Sequence, residues 1–420
     1  MQKIKICDNI NLNYIQETKF KTTTIGTYIH RPLNAKDATK NALIPYMLRR
    51  GCAKYPSTRL LEEHLDDLYG AKMYHSVEKK GEDQILGISF KIVSDKYLPD
   101  NVSITDSITD LMLSVVFEPL LENNSFNTSY FEQEKKTLKE EIENLINDKR
   151  NYAVWRCFEE MCKNEAYGVY KLGSIEQLDK ITPQELYSHY KDIISSSFID
   201  IFICGEVDFD AVCNKIRQFV SGMKFNAVQY PETIFNPAGD VKHFEDIMDV
   251  NQGKLSLGFR TNIKPTDSDY YALVVFNSIF GGGAHSKLFN NVREKLSLAY
   301  YAFSRLEKYK GLMMVSSGIE FANYQKAYDE IFVQLDAVKS GNISDNELFV
   351  AKSALINTVE SYKDEQGYLS DFYLSELVAN TNNTIDSYIE KIKTVTINDV
   401  VKAANKIVLD TEYFLKGTEA

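Results

Sequence analysis

The stretch GGGAHSKLFNNVREKLSLAYY, residues 281–301, brings together backbone freedom, a cation and a phenol. Three glycines end an apolar run, and the apolar residues after them have helical spacing. The residues from Leu298 to Phe303 are typical of a strand. Arg293 is therefore expected late on a helix, with Tyr300 on the strand that follows it. A guanidinium and a phenol on adjacent elements can both hydrogen-bond a peptide carbonyl or a carboxylate.

These two side chains also have a simpler interpretation. Arg293 can be an ordinary arginine on a solvated helix face, and Tyr300 can pack at the edge of a strand. Spacing and residue type alone favour this simpler interpretation. The choice between the two depends on the rest of the chain.

The composition narrows the class of protein before any further motif is considered. The 420 residues are 44% hydrophobic, which is enough for substantial apolar cores. A chain of this length usually forms roughly two to three domains. The net charge of −11 argues against a nucleic-acid partner, because binding phosphates calls for a basic face.

The cysteines and the N-terminal stretch indicate the compartment. The six cysteines form no CxxC pair and show no framework spacing, which favours reduced thiols. The opening residues MQKIKICDNINLNYIQ lack an apolar h-region, and no apolar run is long enough to cross a bilayer. We therefore expect a cytoplasmic protein with neither a standard signal peptide nor a membrane span.

Strand-like and helix-like patterns follow one another along the chain. Paired strands are predicted within the first 30 residues, and a helix from Asp37 to Arg50 follows them. Pro45 either kinks this helix or lies in its first turns, if the helix starts as late as Asn41. Ser57 is the expected N-cap of a second helix. Further strands are predicted at 71–77 and 84–93, and further helices at 102–117 and, as one long helix, at 129–162.

An internal repeat organises the chain into two halves. Residues 181–186, ITPQEL, lead through a helix into a strand that ends near Gly205, and residues 395–400, VTINDV, do the same near Gly417. Nine residues separate Ala42 from Gly51, and nine also separate Ala272 from Gly281. We therefore predict an α+β fold with two homologous α/β-sandwich halves, each an antiparallel-rich sheet covered by helices.

The repeat also sets the predicted domain limits. The N-terminal α+β domain is expected at 1–222 and the C-terminal α+β domain at 244–420. Residues 223–243 contain proline, asparagine and threonine without a sustained period, so we predict that they form the linker.

The order of these motifs resembles the pitrilysin/insulinase family of inverted zinc peptidases, in particular the bacterial branch similar to mitochondrial processing peptidases. The motifs are LDDLYGA at 65–71, FEQEKKTLKEEIENL at 131–145 and GGGAHSKLFNNVREKLSLAY at 281–300. In that family each half is an α+β domain, and two subunits close around an unfolded peptide. The resemblance covers nearly the whole chain.

The chain departs from this family at the zinc motif. The family places HxxEH a few residues before a glycine, with two histidines that bind zinc and a glutamate that activates water. Counted back from Gly51, these positions hold ALIPY, residues 42–46, and none of the three functional groups is present. The family's third zinc ligand is a glutamate on the long helix, seven residues after an earlier glutamate. Glu134 and Glu141 have this spacing, but a lone carboxylate does not make a zinc site. We expect no metal on this chain.

One other stretch of the chain partly matches the zinc motif. Residues 60–64, LLEEH, match HxxEH except for the first histidine, and Glu141 lies 77 residues after His64. This register would misplace Gly51, Tyr69 and Gly70, so an exposed acidic helix face is the preferred interpretation of Glu63 and His64. The chain contains neither a GxxxxGK phosphate loop nor a GxSxG nucleophile elbow.

The substrate-contact pair of the family, by contrast, is intact. In catalytic members an arginine and a tyrosine seven residues later hydrogen-bond the substrate backbone, and Arg293 and Tyr300 match these positions. The resemblance implies a non-catalytic, substrate-binding subunit with no catalytic residue of its own. Its zinc would be on a partner, an HxxEH-containing paralogue, and the substrate would be an unfolded peptide. Paired paralogues of this kind are known from gram-positive bacteria.

A second hypothesis from another class stays open. The chain could be a peptide-binding scaffold that forms a homodimer and presents a protein for modification without proteolysis. The settings known for such paralogues are bacteriocin maturation and modification of elongation factor P, and the sequence does not choose between them. A self-sufficient metalloenzyme that uses Glu63, His64 and Glu141 is the third hypothesis.

Overall fold

The structure is a computed structural model, and it describes residues 1–99, 102–226 and 230–417. It divides into two compact units. Unit 1 consists of Met1–Glu143, Val169–Glu232 and Glu365–Tyr373, and unit 2 consists of Asn144–Gly168, Thr233–Asp364 and Leu374–Ala420. Neither unit is a continuous stretch of sequence.

The first half of the chain supplies eight strands and eight α-helices among its described residues. The strands are β1 (Gln2–Lys5), β2 (Ile10–Gln16), β3 (Thr22–Pro32), β4 (Lys72–Lys80), β5 (Asp83–Val93), β6 (Leu121–Glu122), β7 (Ser125–Phe126) and β8 (Phe198–Gly205). The helices are α1 (Ala38–Leu48), α2 (Thr58–Asp67), α3 (Ile104–Phe117), α4 (Thr128–Asn144), α5 (Lys149–Met161), α6 (Ile175–Lys180), α7 (Pro183–Ser196) and α8 (Phe209–Val220).

The second half supplies five strands, six α-helices and one π-helix within its described part. The strands are β9 (Lys242–Ile247), β10 (Gly253–Arg260), β11 (Ala299–Glu307), β12 (Leu312–Ile319) and β13 (Val408–Lys416). The α-helices are α9 (Tyr270–Phe280), α10 (Tyr324–Lys339), α11 (Asp345–Ser361), α12 (Gln366–Val378), α13 (Ile385–Thr394) and α14 (Ile397–Ala404), and the π-helix is Leu288–Lys295.

The two large sheets repeat one topology. Sheet 1 has the strand order β1-β2-β8-β3-β5-β4, and only its β2–β8 pair is parallel. Sheet 2 has the order β9-β13-β10-β12-β11, with a parallel β9–β13 pair and antiparallel pairs elsewhere. Without β1, the strands correspond one to one in order and direction. The predicted α+β fold with two homologous halves is confirmed.

The repeat found in the sequence marks equivalent elements of the two halves. Thr182 and Glu185 form a capping box at the start of α7, which leads into β8. Thr396 and Asp399 form the same box at the start of α14, which leads into β13. Each capping box satisfies backbone donors that the first turn of a helix leaves unpaired.

The prediction of one long helix at 129–162 is wrong, because this stretch forms two helices. Helix α4 ends at Asn144, a short 3₁₀ turn covers Leu145–Asn147, and α5 begins at Lys149. Asp148 caps the second helix, since its carboxylate accepts a hydrogen bond from the Asn151 backbone N–H at 3.1 Å. Short polar side chains of this kind compete with the helix for backbone donors.

The break places α5 in unit 2, where it packs against β10 and β13. Met161, Cys157 and Phe158 join an apolar cluster with Met314, Tyr413 and other residues of sheet 2. In unit 1, residues 365–373 return to sheet 1, where the Gln366 amide donates to the Thr22 and Cys204 carbonyls, both at 2.7 Å. The compact units therefore differ from the predicted domains at two segments, 144–168 and 365–373. The domain limits 1–222 and 244–420 stay a prediction.

Among the described residues, no helix is both long enough and apolar enough to cross a membrane.

Helix α1 begins at Ala38, so Pro45 lies inside the helix and not in its first turn. Ser57 caps α2 as predicted, with its hydroxyl accepting from the Leu60 N–H at 3.2 Å.

Candidate functional site

Arg293 lies on a π-helix. In the segment Leu288–Lys295, Leu288 and Val292 are fully buried and anchor one side of the helix. The Leu296 N–H donates to the Asn291 carbonyl at 3.1 Å, which is the i to i−5 bond of this helix type. π-Helical turns are rare and occur frequently at functional sites.

Tyr300 lies at a β-bulge. In the register of β11 against β12, Ala299 pairs with Ile319 and Tyr301 pairs with Gly318, so Tyr300 is the extra residue. Just before it, Ser297 has a positive φ of 50°. A bulge re-aims side chains and is frequent next to active sites. Here β11 is also the edge strand of its sheet, and the Tyr300 side chain is 52% exposed.

Arg293 and Tyr300 line the same open pocket. Its volume is about 380 Å³, and its other lining residues are Glu294, Ser297, Leu298, Ala299 and Glu320. The guanidinium carbon of Arg293 lies 4.6 Å from the centre of the Phe289 ring, and its Nε lies 3.5 Å from Glu294 Oε1. Three backbone irregularities, the π-helix, the left-handed Ser297 and the bulge, thus converge on one pocket.

Glu320 is the pocket residue that sequence reasoning missed. The Tyr300 hydroxyl donates to Glu320 Oε1 at 3.2 Å. This hydrogen bond raises the pKa of the Tyr300 phenol. Glu320 directly follows β12, and only the β11–β12 register brings it next to Tyr300, so spacing along the chain gives no signal for it.

The positions of the missing zinc motif form a packed stretch of α1. Ala42, Leu43 and Ile44 are fully buried, and Pro45 and Tyr46 are buried as well. The Tyr46 hydroxyl donates to Glu141 Oε2 at 2.6 Å. The Tyr46 ring meets the His75 ring edge to face at 4.6 Å, and burial lowers the pKa of His75 to about 4.

The retained glutamate Glu134 is held by arginines. Its side chain is fully buried, and it forms an ion pair and a short hydrogen bond with Arg50. Arg49 Nε lies 3.6 Å from the same oxygen. The Glu134 carboxylate therefore has two arginine side chains beside it.

These residues do not fit a zinc ion. An alanine, a proline and a phenol supply no imidazole or thiolate, Glu141 accepts from Tyr46, and Glu134 is paired with Arg50. In the part of the chain that the structure describes, no group of three or more His, Cys, Asp or Glu side chains is suited to holding a metal ion.

Glu63 and His64, the alternative metal-binding pair, both contact other side chains. Glu63 Oε1 accepts from Arg59 Nε at 2.7 Å on the exposed face of α2. The His64 ring stacks on Tyr55 with centroids 4.2 Å apart, and burial lowers its pKa. The hydrogen-bonded partner of Glu141 is Tyr46 and not His64.

Comparisons with known proteins agree on one family. Residues 180–355 match the family profile described as Peptidase M16 inactive domain. The probable inactive metalloprotease YmfF of Bacillus subtilis (strain 168) is 38% identical over 410 residues, which covers 98% of this chain and 96% of that protein.

Solved structures show the same fold. The crystal structure of a conserved protein from Enterococcus faecalis V583 superposes with a TM-score of 0.92 at 30% identity, covering 100% of this chain and 99% of that one. The crystal structure of a peptidase M16 inactive domain from Pseudomonas fluorescens gives 0.81 at 16% identity, with 99% and 98% covered. The expectation that the chain has no activity alone agrees with the descriptions of these two matches, an inactive domain and a probable inactive metalloprotease. The chain belongs to the peptidase M16 family, the pitrilysin/insulinase metallopeptidases, as an inactive paralogue without the HxxEH motif.

Proposed function

We propose that this chain is the non-catalytic, substrate-binding subunit of a two-chain zinc-dependent peptidase. The observation that carries the proposal is the contrast between two sites on one chain. The Arg293–Tyr300 pocket is open and irregular in its backbone, whereas the position of the zinc motif is packed with apolar residues and bonded internally. The zinc would therefore belong to a partner that carries HxxEH.

The Arg293 guanidinium is the group that suits peptide binding best. It is only partly buried, and its nearest ionic contact, to Glu294, is long at 3.5 Å. A donor in this state can turn to a peptide carbonyl without losing a strong bond. A fixed positive charge is worth most where negative charge develops on the scissile carbonyl.

The proposed partners and compartment follow from the same assignment. The second subunit is an HxxEH-bearing paralogue, and a second copy of this chain is the alternative. The ligand is an unfolded peptide rather than nucleic acid, consistent with the net charge of −11. We place the complex in the cytoplasm.

The test combines this chain with an HxxEH-bearing paralogue from the same organism and measures cleavage of a quenched-fluorescence peptide library. Arg293→Ala is expected to reduce kcat/KM of the pair at least tenfold, on the order of one lost charged hydrogen bond. Arg305→Ala is the matched control, since it removes an exposed arginine of β11 that pairs with Glu307.

Each outcome separates the hypotheses. Cleavage that needs both chains and is lost with Arg293→Ala supports the divided site. Peptide binding without cleavage in any combination supports the scaffold hypothesis instead. Cleavage that is unchanged by Arg293→Ala would contradict the role of this pocket.

A further inference from the structure

The hydrogen bond between Tyr300 and Glu320 limits what the phenol can do. A tyrosine hydroxyl has one proton, and the Tyr300 proton is directed to Glu320 Oε1 at 3.2 Å. While this bond exists, the phenol cannot donate to a substrate carbonyl. Arg293 is then the donor that the pocket offers to a carbonyl.

Glu320 supplies the pocket with a strong acceptor beside Glu294, whose carboxylate lies 3.5 Å from Arg293 Nε. A carboxylate has two oxygens and room for several hydrogen bonds. Within the described residues, Tyr300 is the one side chain that donates to this carboxylate, and Glu320 is exposed. Capacity for a further donor therefore remains on the pocket side.

A residue of an extended peptide presents its N–H and its C=O to the same side. The pocket holds a matching set, with the Arg293 guanidinium as donor and the Glu320 carboxylate as acceptor. We propose that Glu320 is a substrate-contact residue that accepts a backbone N–H of the peptide whose carbonyl binds Arg293. This inference rests on the proposed peptide-binding function and deepens it.

The proposal therefore requires a backbone N–H at one position of the substrate. A peptide with proline or an N-methylated residue at the position next to Glu320 has no N–H to donate. Such a peptide should bind weakly even when every side chain is unchanged. Tyr300 then acts as a positioning residue, because its hydroxyl holds the Glu320 carboxylate in place.

The experiment begins with a library of random decapeptides, from which the intact chain selects binders by affinity capture and mass spectrometry. One selected peptide is then resynthesised with a single N-methyl group at each position in turn. Fluorescence anisotropy measures binding of this series to the wild type and to Arg293→Ala, Glu320→Ala, Glu320→Gln and the charge-matched control Glu390→Ala. Glu390 lies on α13 and pairs with Lys393.

We expect one N-methyl position to weaken binding to the wild type roughly tenfold, as for a lost hydrogen bond to a charged group. That penalty should vanish in Glu320→Ala and persist in Glu390→Ala. Glu320→Gln keeps an oxygen acceptor and should retain part of it. Circular dichroism checks that each variant folds.

Two failures are distinguishable. If the wild type selects no peptide, or Arg293→Ala binds as well as the wild type, the proposed function itself fails. If Arg293→Ala loses binding but Glu320→Ala responds to N-methylation like the wild type, the role of Glu320 is overturned while the pocket stands.

Discussion

At the scale of single residues, Arg49 and Arg50 determine the surroundings of Glu134. The two are neighbours at the end of α1, and both approach Glu134, yet their surroundings differ. The side chain of Arg50 is 17% exposed and bonds the carboxylate directly, whereas that of Arg49 is 43% exposed and stays 3.6 Å away. The main cation beside Glu134 is therefore Arg50.

Arg50→Ala should destabilise the protein by about 3–5 kcal/mol, because it leaves the fully buried Glu134 carboxylate without its main cation. Arg49→Ala, the matched control, should cost under about 1 kcal/mol, because its side chain is 43% exposed and lies 3.6 Å from the carboxylate. Urea unfolding followed by circular dichroism measures both. Equal effects of the two variants would contradict this account of the site.

A buried carboxylate in unit 2 gives a prediction about pH. Burial alone would raise the pKa of Glu165, but hydrogen bonds from Arg260 and Lys310 outweigh it and lower the pKa from 4.5 to about 2. The bonds are short, at 2.6 Å from Arg260 Nη2 and 2.7 Å from Lys310 Nζ. A carboxyl with a lowered folded-state pKa stabilises the protein above its unfolded pKa, and this stabilisation is lost as the pH falls toward the folded value.

Glu165→Gln should therefore lower the free energy of unfolding most at pH 7, by about 3–5 kcal/mol, since it breaks a buried ion pair. The gap between variant and wild type should narrow between pH 4.5 and pH 2. Urea titrations at pH 7 and at pH 3 measure this gap. A gap of the same size at both pH values would show that Glu165 does not titrate as described.

Residues of the site could be predicted only where they share a motif. Arg293 and Tyr300 stand seven positions apart in one stretch, and the structure places both in one pocket. Glu320 escaped prediction because a strand register, and no local pattern, brings it to Tyr300.

At the scale of elements, the pocket depends on how α9 meets β11. The Ser304 N–H of β11 donates to the Gly281 carbonyl at 2.9 Å, at the end of α9. A Cβ on Gly281 would lie only 2.5 Å from the Ser304 backbone nitrogen. This close approach explains the first glycine of the triplet at 281–283.

Gly281→Ala should cost about 1–3 kcal/mol of stability and weaken peptide binding, because it pushes β11 away from α9. Gly283→Ala is the control, since its Cβ would meet only the His285 side chain, at 3.0 Å, which can shift. Thermal unfolding and anisotropy with a selected peptide measure the two effects. Equal behaviour of the two alanine variants would remove the packing explanation.

Elements were predictable where caps and periodicity agree, as at Ser57, Thr182 and Thr396. The break in the predicted helix at 129–162 was not predictable, because the apolar spacing continues across it. Asp148 caps the second of the two helices there. The π-helix at Leu288–Lys295 was expected as an ordinary helix, because the two helix types share much of their apolar spacing.

At the scale of the whole molecule, duplication explains why fold and family could be predicted together. Two sheets of the same order and strand direction confirm the repeat found in the sequence. The exchange of α5 and of residues 365–373 between the compact units could not be predicted, since it depends on which sheet each apolar face covers. The two regions differ, one being packed at the positions of the family's zinc motif and the other forming an open pocket.

The central claim is that this chain contributes substrate contacts while its partner contributes zinc. Metal content by mass spectrometry tests it most directly, on protein purified without a metal-binding tag, alone and mixed with the HxxEH-bearing paralogue. We predict no zinc on the chain alone, and one zinc in a complex that cleaves peptides. A full equivalent of zinc on the chain alone, lost on His64→Ala, would contradict the account and return Glu63 and His64 to the metal site.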